Sequence, residues 1–203
     1  MSVASPVFYL LAGPNGAGKS SLYRAVVADG LIPADAEFVN ADLHEAAHLQ
    51  HITDPQARSV QARQWADARR AELLRSGQSF VSETVFSHES KLALIEEARH
   101  SGFVVVLLVV CLDDPQRLLA RVRQRVQEGG HDVPAERILA RYPRTLKNLA
   151  QAVRRADLAM LYDSGGTAAL DGVNRPVRVA VCRGQETRTL VKYLPEWATK
   201  VLA

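Results

Sequence analysis

Val7-Phe8-Tyr9-Leu10-Leu11-Ala12-Gly13-Pro14-Asn15-Gly16-Ala17-Gly18-Lys19-Ser20 decides the fold of this chain. Val7–Ala12 is a short apolar run rich in β-formers and closed by a glycine, which reads as a buried strand. Gly13–Ser20 matches G-x-x-x-x-G-K-[ST] in full, and from Lys19 to about Ala28 the pattern is helical. A strand before the glycines and a helix opening within them separate a phosphate loop from a glycine-rich turn that matches by chance. The glycines permit positive φ and let phosphate oxygens approach main-chain N–H groups. Those amides, from Gly13, Asn15, Gly16, Ala17 and Gly18 onward, with Pro14 in the loop but without an N–H, converge on a helix start, where unpaired donors and the helix dipole favour an anion. Lys19 is then the residue for the β- and γ-phosphates and the Ser20 hydroxyl a ligand for Mg2+. The expected cofactors are therefore ATP and magnesium.

Outward from this loop, β- and α-patterns alternate. Glu37–Val39 reads as a second strand, and Pro55–Arg75 as a surface helix opened by its proline. Ser79–Ser82 reads as a third strand, and Glu89–His100 as a helix with Leu92, Ile95 and Ala98 on one face. Phe103–Leu112 is continuously apolar, as a strand buried on both faces of a parallel sheet must be. Pro115 opens a helix running toward Glu128, Gly129-Gly130 breaks it, Pro134 restarts one, and Pro143 is expected to interrupt again before Thr145–Arg155. Ala156–Tyr162 and Val177–Cys182 read as further strands, and Pro195–Leu202 as a closing helix. The expectation is an α/β P-loop NTPase fold: a doubly wound, mainly parallel sheet, helices on both faces, one domain over residues 1–203.

The 203 residues carry 25 Lys+Arg against 22 Asp+Glu, a net +3 that supports neither a nucleic-acid nor a membrane partner. Arginines nevertheless recur between Arg117 and Arg144, a local basic patch suited to a compact polyanion such as a triphosphate. Cys111 and Cys182 end apolar runs and read as buried thiols in a reducing compartment. With no basic segment before the apolar run at Val7, the expected location is the cytoplasm.

Three classes share the phosphate loop. A GTPase requires N-K-x-D, which is absent, and Asp163-Ser164-Gly165-Gly166 fits D-x-x-G too far down the chain to follow a switch region. A transport ATPase requires an L-S-G-G-Q-type signature, also absent. The arginine-rich stretch around Gly129-Gly130, about residues 121–144, has the composition of a kinase lid that closes over the triphosphate and excludes water.

The ordered set GPNGAGKSSL, FVNADL, GQSFVSETVFS, VCLDDPQRLLARVRQRVQEGGHDVP, RYPRTLKNL and LYDSGG resembles the zeta-toxin family, in its compact single-domain form, over roughly residues 7–166. That resemblance implies a P-loop kinase that uses ATP to phosphorylate a hydroxyl of the nucleotide sugar UDP-N-acetylglucosamine, and an antitoxin partner that holds it inactive. It places Asp42 where the family has its catalytic base. A carboxylate beyond a strand end could accept the hydroxyl proton, although an aspartate there could also serve as a helix cap. It places Glu83 and Thr84 at the acceptor sugar, the alternative for Glu83 being a solvated strand end. Arg121, Arg125 and Arg141 are the arginines chosen to reach the phosphates; Arg123, Arg137 and Arg144 stay open, as does a merely solvated basic face.

One position departs from the family: Ala41 stands where an Asn precedes the base, and Asn40, one residue earlier, is expected to point elsewhere along an extended backbone. A kinase acting on a nucleoside or RNA end, and a nucleotide-dependent regulatory module with little chemistry, are the alternative functions. His44, His48 and His51 share a helical spacing without a completing carboxylate or cysteine, so a metal site is not the favoured reading. Asp113-Asp114 reads as a cap for the helix at Pro115, and Trp65 and Trp197 as packing anchors.

Overall fold

The computed structural model describes residues 5–127, 133–166 and 175–203; Gly129-Gly130, the expected lid break, lies outside them. In chain order the elements are β1 (Val7–Ala12), α1 (Lys19–Ala28), β2 (Glu37–Val39), α2 (Ala41–His48), α3 (Pro55–Ser76), β3 (Phe80–Thr84), α4 (Ala93–His100), β4 (Val104–Cys111), α5 (Pro115–Gln127), α6 (Ala135–Arg155), β5 (Leu158–Asp163), β6 (Val177–Arg183), β7 (Glu186–Thr189) and α7 (Glu196–Leu202). A 3₁₀ turn, Glu89–Leu92, leads into α4. The sheet order is β2-β3-β1-β4-β5-β6-β7. Pairing is parallel from β2 to β5 and antiparallel through β6 and β7.

β1 sits between β3 and β4, with Ala12 in register with both Thr84 and Val109. Its residues alternate between two cores, which is why the run is apolar without alternation. Phe8 and Leu10 join Phe80, Val105 and Leu107 under α3, α4, α6 and α7, where Leu73, Ile95, Leu149 and Trp197 complete the layer. Leu11 joins Val81, Leu108 and Val110 under α1 and α5, with Leu22, Val26, Leu118 and Val122. Burying each large apolar side chain of this kind contributes about 1.5–3 kcal/mol relative to exposure. Phe8 and Phe80 stack across the β1–β3 pair with centroids 4.6 Å apart.

Helix ends follow local chemistry. Asp54 caps α3, accepting from the amides of Gln56 and Ala57 at 3.1 Å, with Pro55 in the first turn and Gly77 left-handed at the end. Asp114 accepts from Gln116 N at the start of α5, as expected, but Asp113 caps α7 instead, accepting from Glu196 N and Trp197 N.

Two expectations are corrected. Pro143 does not interrupt a helix: α6 runs through it from Ala135 to Arg155. Buried residues on both sides of the proline, Ile138 before it and Leu146 and Leu149 after it, hold one continuous helix against the lost hydrogen bond. The β-α alternation also stops after β5, where β6 and β7 form an antiparallel hairpin turning at Gly184 (φ 58°). No described helix is long and apolar enough to cross a membrane.

Candidate active site

The loop between β1 and α1 is shaped by close approaches that admit no side chain. A Cβ on Gly13 (φ 152°) would collide with the Val110 carbonyl, and one on Gly16 (φ 80°) with that of Leu118. Gly18 begins α1 with no side-chain cap, so the first amides of the helix remain available to an anion. Lys19, 8% exposed, donates from Nζ to the carbonyls of Gly13 at 3.0 Å and Pro14 at 3.2 Å. Its Nζ is also 3.7 Å from Glu83 Oε1. Ser20 is exposed on the first turn of α1, and Asn15 Oδ1 is buried without a hydrogen-bond donor.

Register brings the ends of β2 and β3 beside this loop. Gly13 N donates to Thr84 O at 3.3 Å, tying the loop to the end of β3. Glu83 stands at the centre: its Oε2 accepts from Asn40 Nδ2 at 3.3 Å while its Oε1 faces Lys19. Asn40 is also the cap of α2, its Oδ1 accepting from Leu43 N at 3.1 Å. Asp42 therefore is not the cap; it lies exposed in the first turn of α2.

Asn15, Lys19, Asp42, Glu83, Arg125, Arg137 and Arg141 line one cavity of about 380 Å³. Arg137 and Arg141 are one turn apart on α6 and share a face. Burial, then the neighbouring Arg137 and Arg144, press the Arg141 guanidinium below its usual range. Crowded cations of this kind are relieved by a bound polyanion. Arg121 is placed differently. It donates to Ser164 O at 2.7 Å and Ser164 Oγ at 3.1 Å, approaches Gly16 O at 3.5 Å, and does not line the cavity. Arg117 likewise holds the Gly165 carbonyl, so two of the four arginines of α5 clamp the end of β5. Arg123 lines a separate depression with Val122 and Val126, and Arg144 is exposed.

The family model for zeta toxins matches residues 1–172. This chain belongs to the zeta toxin family. It is thereby a nucleotide-dependent phosphotransferase with a hydroxyl acceptor. Comparison with curated proteins finds no match. Among solved structures, the PezAT chromosomal toxin–antitoxin system of Streptococcus pneumoniae superposes with a TM-score of 0.60 at 16% identity, over 80% of this chain and 70% of that one. AvrRxo1-ORF1:-ORF2 with ATP gives 0.71 at 20% identity over 92% of this chain, which spans 61% of that chain's length. A protein of Chloroflexus aurantiacus gives 0.51 at 18%, over 62% of this chain and 69% of that one. At these identities the three likenesses establish the P-loop kinase fold.

Within this zeta-toxin fold, the residues present fit a magnesium nucleotide. Uncapped amides, an enclosed Lys19 and an exposed Ser20 hydroxyl converge at the start of α1. Two residues beside this site escape the sequence reading. Asn40 does not point away: α2 begins at Ala41, so the helical turn carries Asn40, Ala41 and Asp42 onto one smaller cavity with Glu83 and Thr84. Its signal was an Asn preceding a helical pattern, obscured by Asp42 as a rival cap. Phe86, buried with φ 57°, gives no signal at all. This strained conformation is held by Phe86 N donating to Thr84 Oγ1 at 3.3 Å and by Asn148 Nδ2 donating to Phe86 O at 2.9 Å.

The remaining candidates are structural or apart. His44 stacks on Trp65 with centroids 3.8 Å apart and lies 4.8 Å from His48, whereas His51 falls beyond α2. Cys111 and Cys182 are buried free thiols, and burial pushes Cys111 up to about 12. Trp197 is an anchor as expected, and its Nε1 donates to Asp163 Oδ1 at 2.9 Å.

Proposed function

We propose that this chain transfers the γ-phosphoryl group of ATP to a hydroxyl of a nucleotide sugar resembling UDP-N-acetylglucosamine, with Asp42 as general base. The observation that carries this reading is the gathering of Lys19, Asp42, Glu83 and three lid-side arginines around one cavity. The Ser20 hydroxyl would hold magnesium, which when bound would neutralise charge on the triphosphate. Asp42 takes the proton of the acceptor hydroxyl as its oxygen bonds to the γ-phosphorus; the bond to the β-phosphate oxygen breaks and ADP leaves. Lys19, released from its two carbonyls, follows the β/γ-phosphates, and Arg125, Arg137 and Arg141 stabilise the transferring group. Glu83 and Thr84 orient the acceptor, and residues 121–144 serve as the lid of a single kinase domain working in the cytoplasm.

Asn40 supports the sugar reading at the position where Ala41 departs from the family. Its amide already reaches Glu83 and lines the cavity that would hold the sugar. An antitoxin is the expected protein partner, since the pneumococcal and AvrRxo1 relatives are both described as two-component assemblies.

Acceptor-dependent ADP release from wild type, Glu83→Gln and Ala41→Asn, over a panel of nucleotide sugars, tests the reading. Wild type should turn over UDP-N-acetylhexosamines, Glu83→Gln should lose this while still binding ATP, and Ala41→Asn should raise it by adding an amide to the cavity. If no nucleotide sugar stimulates ADP release in any of the three, the sugar reading fails and a nucleoside or RNA end replaces it.

A further inference from the structure

The turn that follows β3 is held in a conformation that its residues disfavour. Phe86, with φ 57°, is the one residue other than glycine with positive φ among the described residues. An L side chain in this region crowds its own backbone, so the conformation persists only where the surroundings impose it. The Phe86 ring is fully buried in the layer that Leu146 and Leu149 of α6 help to close. On the N-terminal side its amide bonds Thr84 Oγ1, and the Thr84 carbonyl in turn accepts from Gly13 N of the phosphate loop. Val85, between the two, lines both the phosphate-side cavity and the smaller cavity beside it, together with Glu83. The strained residue therefore sets where Glu83, Thr84 and Val85 stand relative to the phosphate loop.

The other restraint on Phe86 comes from a different part of the chain. Asn148 is buried on α6, and its Nδ2 donates to Phe86 O at 2.9 Å. It follows Arg141 by about two helical turns, so Arg137, Arg141 and Asn148 share one face of α6. The helix is continuous through Pro143, which preserves that face. Its first half presents Arg137 and Arg141 to the cavity that Glu83 and Val85 also line. Its second half grips the turn that carries Glu83 and Val85. A packing role at position 148 would be met by an apolar side chain such as the adjacent Leu149. It would not call for a buried amide bonded to a residue held at positive φ.

We propose that Asn148 is a positioning residue for phosphoryl transfer: by holding the Phe86 carbonyl it fixes the turn bearing Glu83, Thr84 and Val85 against the helix bearing Arg137 and Arg141. The inference rests on the kinase reading for the reaction it serves. It adds that the acceptor-side and phosphate-side groups are aligned through one buried amide. Without that bond Phe86 relaxes to negative φ and turns Thr84 and Val85 out of place. A displacement of about 1 Å at a reacting centre is enough to slow transfer by about a hundredfold. The triphosphate contacts, made by Gly13–Ser20, lie outside this alignment.

The test compares wild type with Asn148→Leu, which keeps the side-chain volume and removes the donor. Backbone couplings and carbon shifts of Phe86, read by NMR on the full chain labelled at phenylalanine, report its φ without any acceptor. They should show the left-handed conformation in wild type and its loss in Asn148→Leu. With the nucleotide sugar that best stimulates wild type, kcat/KM of the variant should fall about ten- to a hundredfold, assayed well below its Tm. Its Kd for ATP should stay within about twofold of wild type. Asn148→Leu combined with Thr84→Val should lose no more than the worse single variant, because both act through Phe86. Should Asn148→Leu fail to fold, Asn148→Ser, too short to reach Phe86 O, takes its place. Positive φ retained in the variant, kcat/KM unchanged, or losses that multiply in the double variant overturn the proposal. If wild type shows no acceptor-dependent ADP release, the kinase reading falls, while a Phe86 that relaxes in the variant still upholds the grip of Asn148 on the turn. Release by wild type with Phe86 unmoved in the variant does the reverse.

Discussion

Lys19 and Arg70 are equally inaccessible, each 8% exposed, yet they are compensated in opposite ways. Lys19 sits within its own loop, donating to Gly13 and Pro14 carbonyls with Glu83 nearby. Arg70, on α3, meets one hydroxyl and the exposed carboxylate of Asp67, with Glu97 nearby and its Nε orphaned. The phosphate loop is closed by its own backbone before any ligand arrives, and its lysine exchanges carbonyls for phosphate oxygens at little cost. On the far side Arg70 keeps one buried donor, its Nε, without an acceptor. Glu83 joins the two, with one oxygen toward Lys19 and the other bonded to Asn40.

The sharpest way to break this comparison is at the loop. Lys19→Ala should abolish transfer and weaken ATP binding by about ten- to a hundredfold, the worth of a charge-assisted contact to phosphate. Calorimetry with ATP on the folded variant checks it, and unchanged affinity would make the loop's closure irrelevant to nucleotide. Next, Asp42→Asn should lower turnover by about two to four orders of magnitude with ATP affinity intact. Because Asn40 caps α2, thermal stability should hold, and a large fall in Tm would return Asp42 to a structural role.

The two arginine-bearing helices, α5 and α6, then separate. Arg141→Ala should cost about 10²–10³ in kcat, as loss of a transition-state donor does. Arg121→Ala should act mainly on stability, by about 1 kcal/mol, through the released Ser164 contacts. Equal kcat losses in the two variants would show that Arg121 leaves Ser164 to reach the phosphates during the cycle.

The smallest effect lies on the outer wall, at His44. Burial, then His48, lowers its pKa from the ordinary 6.5, so the folded chain binds this proton less readily than the unfolded chain. Its contribution is complete above that ordinary value and is lost as pH falls through the lower folded one. Tm should therefore drop between about pH 8 and about pH 5 by more in wild type than in His44→Phe, which keeps the stack on Trp65.

Legibility followed the range of the interactions. Pro55 announced the start of α3, where Asp54 caps it, because a helix start is settled within a few residues. β7, Glu-Thr-Arg-Thr, is exposed throughout and held by backbone pairing with β6, so it carries no hydrophobic pattern to read. Asn40 was misdirected because an extended chain was assumed where α2 begins; a helical turn replaces alternation and brings Asn40 and Asp42 to one cavity.

Alone, the sequence determined the phosphate loop and the strand that carries it. Eight consecutive residues dictate that backbone, and glycine is required where Val110 and Leu118 approach it. Tertiary structure decided which arginines line the cavity beside the phosphate loop and what surrounds Glu83. Helical phase from one helix to the next cannot be counted from spacing, and it leaves Arg121 on Ser164 while Arg137 and Arg141 turn to the cavity. Glu83 meets Asn40 only because β2 and β3 pair in register across 43 residues of chain, and Arg70 meets Ser82 only because α3 packs on that pair.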